Sequence, residues 1–322
     1  MARLLKLLIK IVLSAGLIWY AFRNVDVAAA MTYLRGVPSS AVVAALAVLF
    51  LGFIIAALRL RLIFHLLGYG CTPVKALEVV LIGGFFSQTL VSFVGGDAMR
   101  IWRMVEARTP LGLAAKGVLF DRVAGFSGLI AIILFSLPRL LEVVSHPTMR
   151  AGLVVGLLVA IAAILALFFT WLMPVALRRW RVLQWVAELS QVAFAILRNK
   201  AALLMLVALS VGIHLLNVLA MYLIARGLEI EVGIVTAVVL LPPVLLLSLL
   251  PISVAGWGVR EGATVVALSL AGVPSYQSLA LSICFGLCAL VISLPGGVLW
   301  LVSRGKIPTD GDAPLGLRTR KQ

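Results

Sequence analysis

Long runs of apolar residues without a charged side chain divide this chain into segments of membrane-spanning length. The clearest runs are Ser40 to Leu58, Ala151 to Met173, Ala201 to Ala225 and Gly262 to Ser303. A helix needs about 20 mostly apolar residues to cross the hydrocarbon core of a bilayer. The pattern therefore predicts an all-α polytopic membrane protein. Its six full spans are expected at about 6–22, 40–64, 117–138, 151–173, 201–225 and 276–302.

Two further apolar stretches, 79–96 and 232–272, are interrupted by glycine, proline and polar residues. The backbone groups that a broken helix leaves unpaired survive at membrane depth only when protein or a water-filled cavity surrounds them. We therefore predict two re-entrant helix pairs, at about 77–112 and 233–272, each broken at its tip.

The distribution of Lys and Arg predicts the orientation. If the N-terminus is cytoplasmic and both re-entrant pairs return to their own side, 21 of the 27 basic residues face the cytoplasm. This is the usual bias of membrane proteins, so we expect the N-terminus and the C-terminus inside. Residues 174–200 are typical of an amphipathic helix on the cytoplasmic surface. Residues 304–322 predict a disordered cytoplasmic tail.

The composition agrees with this class. Of the 322 residues, 63% are hydrophobic and 12% are charged, whereas soluble chains are about half apolar and a quarter charged. The net charge of +15 follows from basic cytoplasmic loops, with attraction to anionic headgroups as a second contribution. The basic residues are spread over short loops instead of forming one patch, which indicates no nucleic-acid partner.

A weak internal repeat is present at an offset of 160 residues. The matching residues are Val94, Gly96, Arg100 and Gly112, which correspond to Val254, Gly256, Arg260 and Gly272. Three spans and one re-entrant pair in each half would insert the second half upside down, as in transporters built from inverted repeats. We predict inverted halves at about 1–140 and 150–303. Chance matching in a chain rich in Gly and Val is the alternative.

The first candidate site follows the first glycine-rich break and contains Asp97, Arg100 and Arg103. If a helix begins here, its free N–H groups attract phosphate, and the two arginines can bind that phosphate. Asp97 precedes Arg100 by three residues, so the two side chains can pair on one helix face. The alternative is that Asp97 caps the helix and the arginines only mark the cytoplasmic side.

The second candidate is Asp121-Arg122 at the start of the third full span. Ionisable residues in a span usually face the protein interior and have a partner. Asp121 can pair with Arg100 or Arg59, or form part of a polar pathway; an interfacial ion pair is the alternative. Arg59 and Arg61 end the second span, and we expect both side chains to extend to the interface.

The third candidate lies in the second broken stretch, where Pro251 ends a helix. Gly256 and Gly258 allow a close approach of the backbone, and Arg260-Glu261 open the next helix. A charged pair between long charge-free runs favours a functional role over a purely structural ion pair at a helix tip. His214 and Asn217, inside the fifth full span, are more typical of hydrogen bonds between helices.

Three motifs together resemble the membrane domain of lysylphosphatidylglycerol synthases. They are Gly-Gly-Asp-Ala-Met-Arg at 95–100, Asp-Arg-Val-Ala-Gly at 121–125 and Pro-Ile-Ser-Val-Ala-Gly-Trp-Gly-Val-Arg-Glu at 251–261. The resemblance extends over about 5–303 and departs from the family at Ala255, which replaces the first of two adjacent glycines. It implies one flippase-like domain, 1–303. In bifunctional members a soluble synthase domain follows, and this sequence continues only with its tail, so we expect no enzyme activity.

The motifs and the resemblance together predict a lipid flippase or lipid transporter of the bacterial inner membrane. Its headgroup cavity would be lined by the candidate residues Asp97, Arg100, Arg103, Asp121, Arg122, Gly256, Gly258, Arg260 and Glu261. We expect no catalytic residue, metal or cofactor, because no His, Cys and carboxylate cluster has ligand spacing and no Walker-type phosphate loop is present. A lipid-modifying transferase and a non-transporting member of a lipid-synthesis complex stay open as alternatives.

The expected partner is a membrane lipid. The basic candidate sites favour an anionic phospholipid, the resemblance implies an aminoacylated one, and another polar lipid stays open. An enzyme of lipid synthesis and a second copy of this chain are further candidate partners.

Overall fold

A computed structural model describes residues 26–89, 93–169, 198–249 and 256–303. The predicted first span at 6–22, nearly all of the amphipathic segment at 174–200 and the tail at 304–322 lie outside the described residues. Every regular element within those ranges is a helix. In chain order the helices are α1 Val27–Arg35, α2 Ser39–Leu66, α3 Pro73–Thr89, α4 Phe93–Glu106, α5 Leu111–Val143, α6 Pro147–Phe169, α7 Lys200–Gly227, α8 Ile234–Ser248, α9 Val259–Ser269 and α10 Ser275–Ser303.

Five of these helices, α2, α5, α6, α7 and α10, are long and apolar enough to cross a membrane. They correspond to the five predicted full spans that fall within the described residues. The prediction of an all-α polytopic membrane protein is therefore confirmed. The largest difference in bounds is at α5, which begins at Leu111 instead of 117. The helix continues through Lys116, Asp121 and Arg122, because charged residues do not end a helix when their side chains have partners.

The first broken stretch forms an antiparallel helix pair, α3 and α4, which we call hairpin 1. A β-carbon at Gly96 would lie 1.9 Å from Ser87 Oγ, and one at Gly83 would lie 2.4 Å from Arg100 Nε. The two helices therefore touch where one of them has a glycine. At 1.5 Å per residue, α3 is about 26 Å long and α4 about 21 Å, both shorter than the roughly 30 Å hydrocarbon core.

The second broken stretch forms another pair of packed helices, α8 and α9, which we call hairpin 2. Its helices have 15 and 11 residues, which makes them about 22 and 16 Å long. Gly256 and Gly258 precede α9 with φ angles of 81° and 84°. Glycine adopts this left-handed conformation at little cost, so the chain turns here and α9 begins.

The core of the bundle is the extensive contact between α2 and α7. The last helix, α10, packs against both hairpins. A β-carbon at Gly296 would lie 2.0 Å from the backbone oxygen of Leu81 in hairpin 1, and one at Gly286 would lie 2.1 Å from Arg260 Nη2 in hairpin 2. By contrast, α6 packs mainly on α5 and leaves most of its surface exposed.

Candidate functional site

Asp121 is the centre of a buried cluster of charges between three helices. Its Oδ1 accepts a hydrogen bond from Arg59 Nε of α2 at 2.7 Å, and its Oδ2 accepts one from Arg100 Nη1 of α4 at 3.1 Å. Asp121 is only 1% exposed. A buried carboxylate needs charged partners to offset its desolvation, and here one carboxylate binds two guanidinium groups. The sequence left either arginine open as the partner of Asp121, and the structure brings both to it.

Arg59 was expected to extend to the interface, and that expectation is wrong. The side chain is buried, and its Nη1 also donates to Ser210 Oγ of α7 at 3.2 Å. Space for the guanidinium exists because a β-carbon at Gly125 of α5 would lie 3.3 Å from Arg59 Nη1. The carbonyl of Gly125 lies 2.9 Å from His214 Nε2. Hydrogen bonds from α7 and α5 therefore hold Arg59 inside the bundle.

Arg122 and Asp97 form a second ion pair between α5 and hairpin 1. Arg122 Nε donates to Asp97 Oδ2 at 2.7 Å, and both side chains are about one-fifth exposed. The sequence suggested pairing of Asp97 with Arg100 on one helix face, but the partner of Asp97 is on the neighbouring helix. We call Arg59, Arg100, Arg122, Asp97 and Asp121 the α5 charge cluster. Three arginines and two aspartates leave this cluster with one excess positive charge.

Arg103 lies outside that cluster. Its two terminal nitrogens donate to Glu78 of α3 and Glu106 of α4, and Lys75 donates to Glu78 at 3.2 Å. These contacts join the two helices of hairpin 1 at the ends remote from its break. These contacts therefore give Arg103 a structural role in closing hairpin 1.

The charges of hairpin 2 are bonded close to their own position in the chain. Arg260 Nη2 donates to Glu261 Oε1 at 2.6 Å, and the guanidinium lies 4.7 Å from the centre of the Trp257 ring. Glu261 Oε2 accepts the backbone N–H of Gly258 at 2.5 Å, which caps α9. Ser282 of α10 lies 3.3 Å from both charged side chains. Arg260, Glu261 and Ser282 are almost completely buried.

A cavity of about 200 Å³ borders the α5 charge cluster. Arg100, Gln88 and Asn217 contribute its polar wall, and the remaining lining residues come from α2, α3, α7 and α10. Two buried polar atoms, Gln88 Oε1 and Arg100 Nε, have no hydrogen-bond partner. The sequence favoured a hydrogen bond from Asn217 to another helix, but Asn217 Nδ2 donates to the backbone oxygen of Ile213 in its own helix. The polar wall of the cavity therefore includes one guanidinium group and two side-chain amides.

Along α10, the cavity lies between the contacts with the two hairpins. Ala289 and Ile292 line it, whereas Gly286 contacts Arg260 and Gly296 contacts Leu81. One helical turn, or about 5 Å, separates Gly286 from Ala289. Arg100 thus lines the cavity directly, and the Arg260–Glu261 group lies about one turn away on the side of hairpin 2.

The helices define a polytopic membrane protein with buried ion pairs between its helices. The chain belongs to the family described as the lysylphosphatidylglycerol synthase transmembrane region, whose family model matches residues 7–296. The resemblance inferred from the three motifs is confirmed. No curated protein matches the chain significantly. Membership of this family supports a role connected with membrane lipids.

Proposed function

We propose that this protein moves a polar lipid headgroup between leaflets through the cavity that Arg100 lines. The carrying observation is the α5 charge cluster beside that cavity, with its excess positive charge and with Arg100 in the cavity wall. Transfer of a charged group from water into hydrocarbon has a large free-energy cost. A cavity whose wall contains an arginine, a glutamine and an asparagine lowers that cost for a phosphate-bearing headgroup.

The arrangement of the hairpins supports this proposal. Helices of about 16 to 26 Å are short for a complete crossing, which favours re-entrant pairs entering from opposite sides in an inverted repeat. In this arrangement both termini are cytoplasmic and the protein is in the bacterial inner membrane. The proposed cargo is an anionic or aminoacylated phospholipid or another polar lipid. The protein acts as a transporter and not as an enzyme.

Leaflet transfer in proteoliposomes tests the proposal. A fluorescent phosphatidylglycerol is placed in both leaflets, and a membrane-impermeant quencher reports how fast the inner population reaches the outside. Arg100→Gln removes the charge that lines the cavity and is expected to slow transfer about tenfold or more, since one lost charged hydrogen bond is worth about 1.5–3 kcal/mol. Arg139→Gln is the matched control, because the Arg139 side chain is 69% exposed and pairs with nearby Glu142.

Full transfer by Arg100→Gln would overturn the assignment of the cavity. The two alternatives give different results with the same purified protein. A lipid-modifying transferase would form a new lipid product from a donor and a lipid. A non-transporting member of a lipid-synthesis complex would give no transfer in wild-type vesicles and would co-purify with an enzyme.

A further inference from the structure

A second cavity, of about 570 Å³, lies between α5, α6 and α8. All of its lining residues are apolar, including Val123 and Ile133 of α5 and Leu246 of α8. We call this cavity the α6 groove. It shares no lining residue with the polar cavity beside Arg100. The two spaces differ in chemistry and require different occupants.

The dimensions of the α6 groove match a hydrocarbon chain. Its lining extends along α5 from Val123 to Ile133 and along α6 from Gly152 to Ile164. At 1.5 Å per residue these stretches are about 15 and 18 Å long, which is roughly half the thickness of the hydrocarbon core. The groove is therefore elongated along the helices and has the length of a chain that occupies one leaflet.

The groove is open because small residues line its α6 side. Gly152 and Gly156 lie one turn apart, and a β-carbon at either position would meet no atom within 4 Å. Only 6% of the apolar window of α6 is buried. Protein interiors hold few voids larger than a water molecule, and an apolar cavity of about 150 Å³ already binds benzene. An apolar groove of about 570 Å³ beside a mostly exposed helix in a membrane protein suits a hydrocarbon occupant.

The α5 charge cluster lies at one end of the groove and indicates the chemistry of the headgroup attached to that hydrocarbon chain. Val123, which lines one end of the groove, directly follows Arg122, whose Nε donates to Asp97. The cluster has one excess positive charge, which suits a phosphate at this end. We infer that the α6 groove binds one acyl chain of a phospholipid whose phosphate lies at the Arg122 end. The inference goes beyond the proposed function, because it assigns a tail site that holds whether or not the bound lipid is transported.

Photolabelling tests the inference on the full-length protein. The probe is phosphatidylglycerol with a diazirine in its acyl chain, incorporated into proteoliposomes and activated by light. Labelled peptides are located by mass spectrometry and are expected in α5, α6 and α8. Gly156→Phe places an aromatic ring in the groove, at a position where a β-carbon meets no atom within 4 Å. It is expected to reduce this labelling about tenfold or more, since one misfitting methylene in a hydrophobic pocket already costs about 10–200-fold. Gly152→Phe is a second variant with the same expected result.

Leu158→Phe is the matched control, since Leu158 is on α6, is 59% exposed and does not line the groove. Unchanged labelling in both glycine variants would overturn the inference. An equal loss in Leu158→Phe would also overturn it, because the effect would then not be specific to the groove. Groove labelling in a wild-type protein that transfers no lipid would contradict the proposed function and still support the acyl-chain site.

Discussion

Hairpin 1 and hairpin 2 have similar sequence signals, a glycine followed four residues later by an arginine, yet they bury their charges differently. In hairpin 1, Arg100 and Asp97 bond to residues of α5. In hairpin 2, Arg260 bonds to the adjacent Glu261 and stacks on Trp257 of the same hairpin. The glycines differ as well, because Gly96 lies within α4 whereas Gly256 is a turn residue with positive φ.

The same spacing from glycine to arginine therefore has a different role in each hairpin. Interhelical ion pairs connect hairpin 1 to the bundle at the wall of the polar cavity, so a ligand phosphate can compete for those arginines. Arg260 already has a carboxylate, a hydroxyl and an aromatic ring around it. We therefore expect hairpin 1 to bind the headgroup and hairpin 2 to supply a rigid wall. The following experiments are ordered from the largest expected effect to the smallest.

Removing the shared carboxylate of hairpin 1 is expected to have the largest effect. Asp121→Ala leaves Arg59 and Arg100 buried without their anion, and breaking a buried ion pair costs about 3–5 kcal/mol. Thermal unfolding in detergent should show a large fall in the midpoint. Glu142→Ala removes an exposed carboxylate of the same helix and should change the midpoint little. Equal stability of Asp121→Ala and wild type would show that the α5 charge cluster does not hold hairpin 1.

Exchanging one arginine in each hairpin tests the contrast directly. Arg260→Gln leaves buried Glu261 without its cation and should cost about 3 kcal/mol of stability. Arg100→Gln should cost less, because Asp121 keeps Arg59, and should instead slow leaflet transfer. Thermal unfolding and transfer are measured on both variants. The contrast is lost if Arg260→Gln keeps full stability and slows transfer as much as Arg100→Gln does.

Replacing the glycine that packs against each of these arginines is expected to have a smaller effect on stability. A β-carbon would lie 2.4 Å from Arg100 Nε at Gly83 and 2.1 Å from Arg260 Nη2 at Gly286. Overpacking typically costs about 1–3 kcal/mol. Gly286→Ala is expected at the upper end, because Arg260 is fixed on several sides, and Gly83→Ala at the lower end. Thermal midpoints that place Gly83→Ala below Gly286→Ala would reverse the assignment of the rigid hairpin.

Two buried serines give the smallest expected effects. Ser210 accepts a hydrogen bond from Arg59, and Ser282 lies beside Arg260 and Glu261. Each Ser→Ala change removes hydrogen bonds to a charged group and is expected to cost about 1–2 kcal/mol. Transfer should stay normal in Ser282→Ala once stability is matched by lowering the assay temperature. Slower transfer in Ser282→Ala than in Ser210→Ala would give hairpin 2 a direct part in headgroup binding.

The sequence predicted the helical membrane class and the positions of the spans, because charge-free length is a one-dimensional property. It also identified four candidate site residues that form ion pairs in the structure: Asp97, Arg100, Asp121 and Arg122. It assigned Arg59 to the interface, since a charge at the end of a span usually extends to water. Arg59 was also a candidate partner of Asp121, which is 62 positions away on α5, but no local pattern decides between that contact and the interface. The α6 groove was not foreseen either, because it results from how loosely two apolar helices pack.

The glycine contacts of α10 limit how the molecule can open. Gly296 packs against the backbone of hairpin 1 and Gly286 against the Arg260 side chain of hairpin 2, so α10 contacts both hairpins closely. Close packing at these glycines resists sliding, whereas salt bridges can break and re-form with other partners. Any movement between alternately open states is therefore expected at the interface between hairpin 1 and α5, where Arg100 and Asp97 form their ion pairs. A phosphate that binds one of these arginines would weaken the ion pairs at this interface, so the cargo itself would promote opening.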